Sequence, residues 1–148
     1  MAVEVFINFN GNCREAVAFY TTVFGTEKPV IMSYGDTPHQ CSEFPLSEEA
    51  KKLVAYTTIN INGSTVMFSD VPPGMSFISG NNITLSIGSK SMYEIKVLFN
   101  KLKEGGTVVM DLQETFWSKY YGSVTDKFGI QWQFNYDDGQ VKISQEGK

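Results

Sequence analysis

The sequence predicts an α+β protein in which one order of elements is read twice. Residues 3–9 alternate apolar and polar side chains as a strand does, and 12–24 carry a helical apolar stripe. An extended stretch follows Gly25, and residues 53–70 then read as two strands around Asn62-Gly63. From Ile83 the order returns: a strand to Ile87, a helix from Ser91 to Glu104, a Gly105-Gly106 break, and a strand over Thr107–Leu112. A hairpin closes the second half, Lys119–Thr125 and Ile130–Tyr136 around Lys127-Phe128-Gly129. Duplicated units of this size pack face to face or side by side, and the cleft between them is a natural ligand site.

In the first strand Val3, Val5, Ile7 and Phe9 share one face, and Glu4, Phe6, Asn8 and Asn10 the other. The first set is expected to pack on helices, the second to face more polar surroundings such as a ligand cleft. The first helix begins near Asn12, with Glu15 three residues on as a capping-box partner. Ala16, Val17, Tyr20, Val23 and Phe24 make its apolar face, and Gly25 stops it. Gly35–Lys52 is irregular: Thr37-Pro38 and Phe44-Pro45 break regular structure, and Ser47–Lys51 suits one short helical turn. Its counterpart, roughly 113–118, is much shorter. Long loops of this kind serve as lids or partner contacts, or are plain surface excursions.

Asn62-Gly63 supplies the positive φ angles of a tight hairpin turn. Pro72-Pro73-Gly74 and Gly80 mark a linker. In the next strand Ile83, Leu85 and Ile87 alternate with Thr84 and Ser86. Ser91 and Glu94 form a capping box, and Met92, Ile95, Leu98, Phe99 and Leu102 the buried stripe of the second helix. In the last strand Ile130, Trp132 and Phe134 alternate with Gln131, Gln133 and Asn135. If the apolar faces of these strands meet the helices, the polar faces line a concave surface on which amides and hydroxyls orient a ligand without burying unpaired charge. The plainer alternative is that those faces simply meet solvent.

Composition narrows the classes. The chain has 148 residues, 42% hydrophobic and 19% charged, which are globular values. A net charge of −4, with Lys/Arg scattered outside Lys101–Lys103, argues against a nucleic-acid partner. No apolar run approaches the roughly 18 residues needed to span a bilayer, so no membrane partner is expected. The start, Met1-Ala2-Val3-Glu4, lacks the basic and long apolar regions of a signal peptide, which makes the cytoplasm the expected location. Cys13 and Cys41 fit neither a disulfide framework nor a zinc ribbon. Cys13 falls in the first turn of a helix, where the dipole can activate a thiol; the alternative is an ordinary buried one.

Phe9-Asn10-Gly11-Asn12-Cys13-Arg14-Glu15-Ala16, then Phe19-Tyr20 and Phe24-Gly25, resemble the opening of the PhnB-like branch of the vicinal oxygen chelate superfamily. That superfamily also holds glyoxalase I, extradiol dioxygenases and bleomycin-resistance proteins. Residues 61–67 with Ser69-Asp70 resemble its hairpin, and Phe116-Trp117, Tyr121-Gly122 and residues 126–132 its closing signature. The resemblance implies two βαβββ modules, each curling a mixed sheet around a cleft, in a homodimer. On this reading residues 1–136 form one domain with modules at about 1–70 and 82–136, a linker at 71–81 and a polar tail at 137–148.

Metal-using relatives carry ligands on the first and last strand of each module, positions that fall here at about Glu4, Met67, Asn82 and Gln133. Glu4 suits a divalent ion, Gln133 and Asn82 suit it poorly, and the Met67 thioether does not suit it. The histidine that PhnB-like relatives often carry near Tyr56 is missing, and the sole histidine, His39, sits in the irregular loop. A Ser-His-Asp or Cys-His arrangement would have to recruit His39, with Cys41 two residues away, and no glycine-rich nucleotide motif is present. No residue is assigned a catalytic role. Trp117 and one of Tyr120 and Tyr121, which point to opposite faces, are candidates to stack on a ligand; Trp132 reads as core.

The function these residues support is a homodimer holding a small organic molecule in a metal-free cleft, with no cofactor. Glu4, Asn8, Tyr56, Met67, Asn82, Thr84, Trp117 and Gln133 are expected to line it. Two alternatives stand beside it: a metal-dependent glyoxalase- or dioxygenase-type enzyme using Glu4 and Gln133, and a ligand-free structural or regulatory dimer.

Overall fold

Alternation in the first strand becomes β1, Val5–Phe9, with Phe9 buried and Phe6 and Asn8 exposed. A computed structural model describes residues 1–37 and 46–139. The chain divides into two units, Met1–Ile78 and the residues from Ser79 on. In the first, β1 is followed by α1 (Cys13–Phe24), a two-residue β2 (Met32–Ser33), and 3-10 turns at Tyr34–Asp36 and Ala50–Lys52. Strands β3 (Val54–Ile61) and β4 (Ser64–Asp70) complete it. The second unit runs β5 (Thr84–Ser89), α2 (Met92–Leu102), β6 (Thr107–Gln113), β7 (Tyr121–Thr125) and β8 (Gln131–Tyr136).

Both units have one topology. The sheets are ordered β1-β4-β3-β2 and β5-β8-β7-β6. In each, the first strand lies parallel to the last and the other neighbours are antiparallel, so both are mixed βαβββ sheets. Even the closing contact repeats: Val71 N donates to Phe9 O at 2.8 Å, and Asp137 N to Ser89 O at 2.8 Å. The β3–β4 turn is the one Asn-Gly dictates, with Asn62 at φ 53° and Gly63 at φ 91°.

Aromatic side chains fill the first core: Tyr20 of α1 stacks on Phe68 at 5.7 Å, and Phe68 on Phe9 at 6.3 Å. In the second, Phe99 of α2 meets Phe134 edge-on at 5.7 Å, above buried Ile95, Leu102 and Trp132. Stripe ends depart from expectation. Met92 is exposed and Phe24 half-buried, each at an end of its helix. Val3 is fully exposed, since the strand starts only at Val5.

Capping also departs from expectation. Asn12 makes no side-chain cap to α1. Buried Asp70, at the end of β4, replaces it: Oδ1 accepts from Gly11 N at 2.9 Å and Cys13 N at 3.0 Å, and Oδ2 from Val54 N at 2.9 Å. One carboxylate thus ties β4, α1 and β3 together and places negative charge at the positive end of a helix. In α2, Ser91 Oγ accepts from Glu94 N at 3.1 Å as expected. The box closes through a third residue: Ser89 Oγ donates to Glu94 Oε2 at 2.6 Å and accepts from Ser91 N at 3.1 Å.

The 35–52 segment shows the turn expected near Ser47, with Lys51 N donating to Ser47 O at 3.0 Å. Its middle, with His39 and Cys41, and the tail from 140 on lie outside the described residues. No helix among the described residues is long and apolar enough to cross a membrane.

Candidate functional site

Each sheet gives one face to its helix and leaves the other uncovered by it. In the first unit the uncovered face carries Phe6 and Asn8 from β1, Met67 and Ser69 from β4, and Tyr56 from β3. The ladder pairs Phe6 with Met67 and Asn8 with Ser69, and Tyr56 with Met32 of β2. The Phe6 and Tyr56 rings lie 6.2 Å apart. Ser69 Oγ donates to Asn8 Oδ1 at 2.7 Å. Three expected site residues, Asn8, Tyr56 and Met67, therefore share one face. Glu4 is exposed just before β1. This face is more apolar than its alternation suggested, because Phe6 and Met67 stand side by side in its middle.

The uncovered face of the second unit has a different character. Thr84 and Ser86 of β5 pair with Gln131 and Gln133 of β8, which pair with Thr125 and Ser123 of β7. The side chains bond across the strands: Thr84 Oγ1 donates to Gln131 Oε1 at 3.2 Å, and Gln133 Nε2 to Ser86 Oγ at 3.0 Å. Tyr121 OH donates to Gln133 Oε1 at 3.0 Å. Trp117 packs edge-on against the Tyr121 ring at 5.3 Å and remains 40% exposed. Thr84, Trp117 and Gln133 thus belong to one hydroxyl, carboxamide and aromatic surface, while Asn82 is exposed before β5. Tyr121, not Tyr120, is the tyrosine on this face; Tyr120 gives its carbonyl to Tyr136 N at 2.9 Å.

Other reactive-looking groups are committed to structure. Asp126 is buried and accepts from Phe128 N at 2.9 Å, Ile130 N at 3.0 Å and Trp132 Nε1 at 2.9 Å. It fixes the β7–β8 turn and anchors Trp132 as a core residue. Cys13 is fully buried. Burial, then the neighbouring Asp70 carboxylate, push its thiol up to about 12, which outweighs any activation by the helix dipole.

The donor set does not suit the metal that such folds can carry. Met67 lies beside Phe6, a thioether against a phenyl ring, and Gln133 beside Ser86, both neutral and already bonded to each other. Among the described residues no group of three or more His, Cys, Asp or Glu side chains is placed to hold a metal ion.

Sequence reasoning missed Ser69 as a member of the first face; it set Ser86 and Asn135 on polar strand faces without naming them as site residues, and it left Tyr121 open against Tyr120. The signal was present in the alternation of their strands. What it lacked was the register that sets Ser86 opposite Gln133 and Tyr121 opposite Asn135.

Residues 2–135 match a family model described as 3-demethylubiquinone-9 3-methyltransferase. Protein YjdN of Escherichia coli (strain K12) is 33% identical over 141 residues, spanning 91% of this chain and 95% of that protein. The PhnB protein from Bacillus cereus superposes with a TM-score of 0.69 at 24% identity, over 92% of this chain and 99% of that one. A glyoxalase/bleomycin resistance protein/dioxygenase family enzyme from Burkholderia phytofirmans PsJN shares the fold at 16% identity, with a TM-score of 0.57 over 90% and 94% of the two chains. With the βαβββ unit repeated, β1 and β5 each parallel to the last strand of their unit, the chain shares the fold of the glyoxalase/bleomycin resistance/dioxygenase proteins and belongs to the PhnB-like family.

Proposed function

We propose that this protein is a cytoplasmic homodimer that binds a small organic molecule on its uncovered sheet faces without a bound metal. On the first unit's face the contacts are Asn8, Tyr56 and Met67, with Glu4 just ahead of β1; on the second unit's face they are Thr84, Trp117 and Gln133, with Asn82 just ahead of β5. One observation carries the reading: Tyr121, Gln133 and Ser86 form a hydrogen-bonded chain beside a part-exposed Trp117, on the face opposite α2. Oriented neutral dipoles next to an aromatic edge hold a ligand by shape and hydrogen bonds and offer no nucleophile or general base. A second copy as partner is supported by membership of a family whose members are often dimers.

Methyl transfer, named in the family model's description, needs a methyl-donor site as well as an acceptor site. The strand-to-helix junctions, Asn10-Gly11-Asn12 and Lys90-Ser91, lack the glycine-rich sequence of the turn that cradles a nucleotide. The proposal therefore takes binding from the family and not transfer. Elemental analysis of full-length protein purified without chelators tests it. Metal far below one equivalent per chain is expected, and a stoichiometric divalent ion would overturn the metal-free reading.

A further inference from the structure

Resting on that reading of the first unit's face, we infer that the part of the ligand meeting it is an uncharged planar ring bearing a carbonyl, with the carbonyl held by Asn8. The sheet order sets β4 between β1 and β3. Neighbouring strands stand ~4.8 Å apart, so Phe6 and Tyr56 leave the sheet roughly 10 Å from each other. Their ring centroids are nonetheless only 6.2 Å apart, so the rings lean together over β4. The planes meet at 46°, which leaves an open wedge and not a closed stack. Both rings keep accessible surface, 45% for Phe6 and 42% for Tyr56. Met67, paired with Phe6 in the ladder, offers at the foot of the wedge a thioether that adapts to a ring edge.

Asn8 supplies the polar contact. Buried Ser69 donates from its Oγ to Asn8 Oδ1 at 2.7 Å, which fixes the carboxamide on the face it shares with Phe6. This bond uses the oxygen end of the carboxamide. The nitrogen end, on an exposed residue, donates to no group among the described residues. The second unit's face differs here, since its Gln131 and Gln133 carboxamides bond to neighbouring side chains. An oriented amide donor next to an aromatic wedge calls for an acceptor attached to a ring. No side chain that β1, β4 or β3 places on this face is cationic, and exposed Glu4 lies two residues before Phe6 on the same alternation. An anion would lose water there with no counter-charge and against negative potential, so the acceptor is a neutral carbonyl.

The test uses full-length protein carrying ¹³C in its methionine methyls and ¹⁵N throughout, titrated with chromone and, separately, with 2-naphthoate, an anion of similar size. Met67→Leu assigns the Met67 methyl among the six methionines, and Trp117→Phe assigns the Trp117 indole N–H. Chromone is expected to move the Met67 methyl with a Kd about tenfold or more below that of 2-naphthoate. Asn8→Asp keeps an oxygen for the Ser69 hydroxyl and turns the outward donor into an acceptor. Chromone binding about tenfold weaker is expected in that variant. Equal or tighter binding of 2-naphthoate overturns the inference and leaves the seat standing. An unchanged chromone affinity in Asn8→Asp overturns the role of Asn8. Movement of Trp117 alone overturns the seat on the first face and leaves the wider reading standing; movement of neither signal overturns both. Should Asn8→Asp not fold, Tyr56→Ala removes one wall of the wedge; about tenfold weaker chromone binding is expected, and unchanged affinity overturns the seat between the rings.

Discussion

The Tyr121 phenol donates to Gln133 Oε1 at 3.0 Å, which orients the Gln133 carboxamide so that its Nε2 reaches Ser86 Oγ at 3.0 Å. Three strands are joined by this chain on the face opposite α2. Tyr121→Phe keeps the ring against Trp117 and removes the donor. A stability loss of about 0.5–1.5 kcal/mol is expected in urea denaturation, with ligand binding weakened more than that. An unchanged affinity in the variant would separate the tyrosine from the site.

Asp70 holds three elements of the first unit together through its carboxylate. Asp70→Ala leaves Gly11, Cys13 and Val54 N–H groups without their acceptor at a buried junction. Each unpaired donor costs about 1–3 kcal/mol where water cannot reach it. A loss of at least about 3 kcal/mol is expected, read as a lower urea midpoint with unchanged slope. Asn12→Ala should change stability by less than about 0.5 kcal/mol, since Asn12 makes no side-chain cap.

Two glycines make opposite predictions. A Cβ on Gly106 would fall 2.2 Å from Thr125 O and 2.9 Å from Asp126 Cα, and backbone cannot step aside. Gly106→Ala is expected to cost about 2 kcal/mol or more by pushing β6 off β7. Gly88→Ala enters open space and should leave the melting temperature within about 2 °C of the parent.

Cys13 gives a pH dependence of known sign. Its folded pKa is raised from 9.0 to about 12 by burial and Asp70. Below about pH 9 folded and unfolded thiols both keep the proton and stability is unaffected. From there toward 12 the unfolded thiol ionises first, so stability falls as pH rises. In a Cys41→Ser background, Cys13→Ala should flatten that fall, and native Cys13 should resist a thiol reagent until the protein is denatured. Rapid labelling of the native protein would contradict the burial.

Much of this architecture was legible in the chain. Asn62-Gly63 fixed its turn because two positive φ angles admit few residue pairs, and Ser91 announced α2 because capping is local. Alternation told which side chains share a face, and so placed Asn8, Thr84 and Gln133 opposite the helices; Tyr56 and Met67 came from the family resemblance. Long-range relationships were not legible. Asp70 caps a helix 57 residues away, and nothing near Asn12 reveals that. Choosing Tyr121 over Tyr120 required the β7–β8 register, since a shift of one residue exchanges the faces. The aromatic and methionine middle of the first face needed the pairing of β1 with β4, 61 residues apart at Asn8 and Ser69.

The most direct measurement of the central claim is a thermal-shift titration of chelator-treated protein with small aromatic compounds and, in parallel, with divalent cations. A compound at a hundredfold excess over its Kd should stabilise the protein by about 2.7 kcal/mol with no metal present, and Trp117→Ala should abolish the shift. Stabilisation by a divalent cation alone, with no compound acting in its absence, would contradict the account.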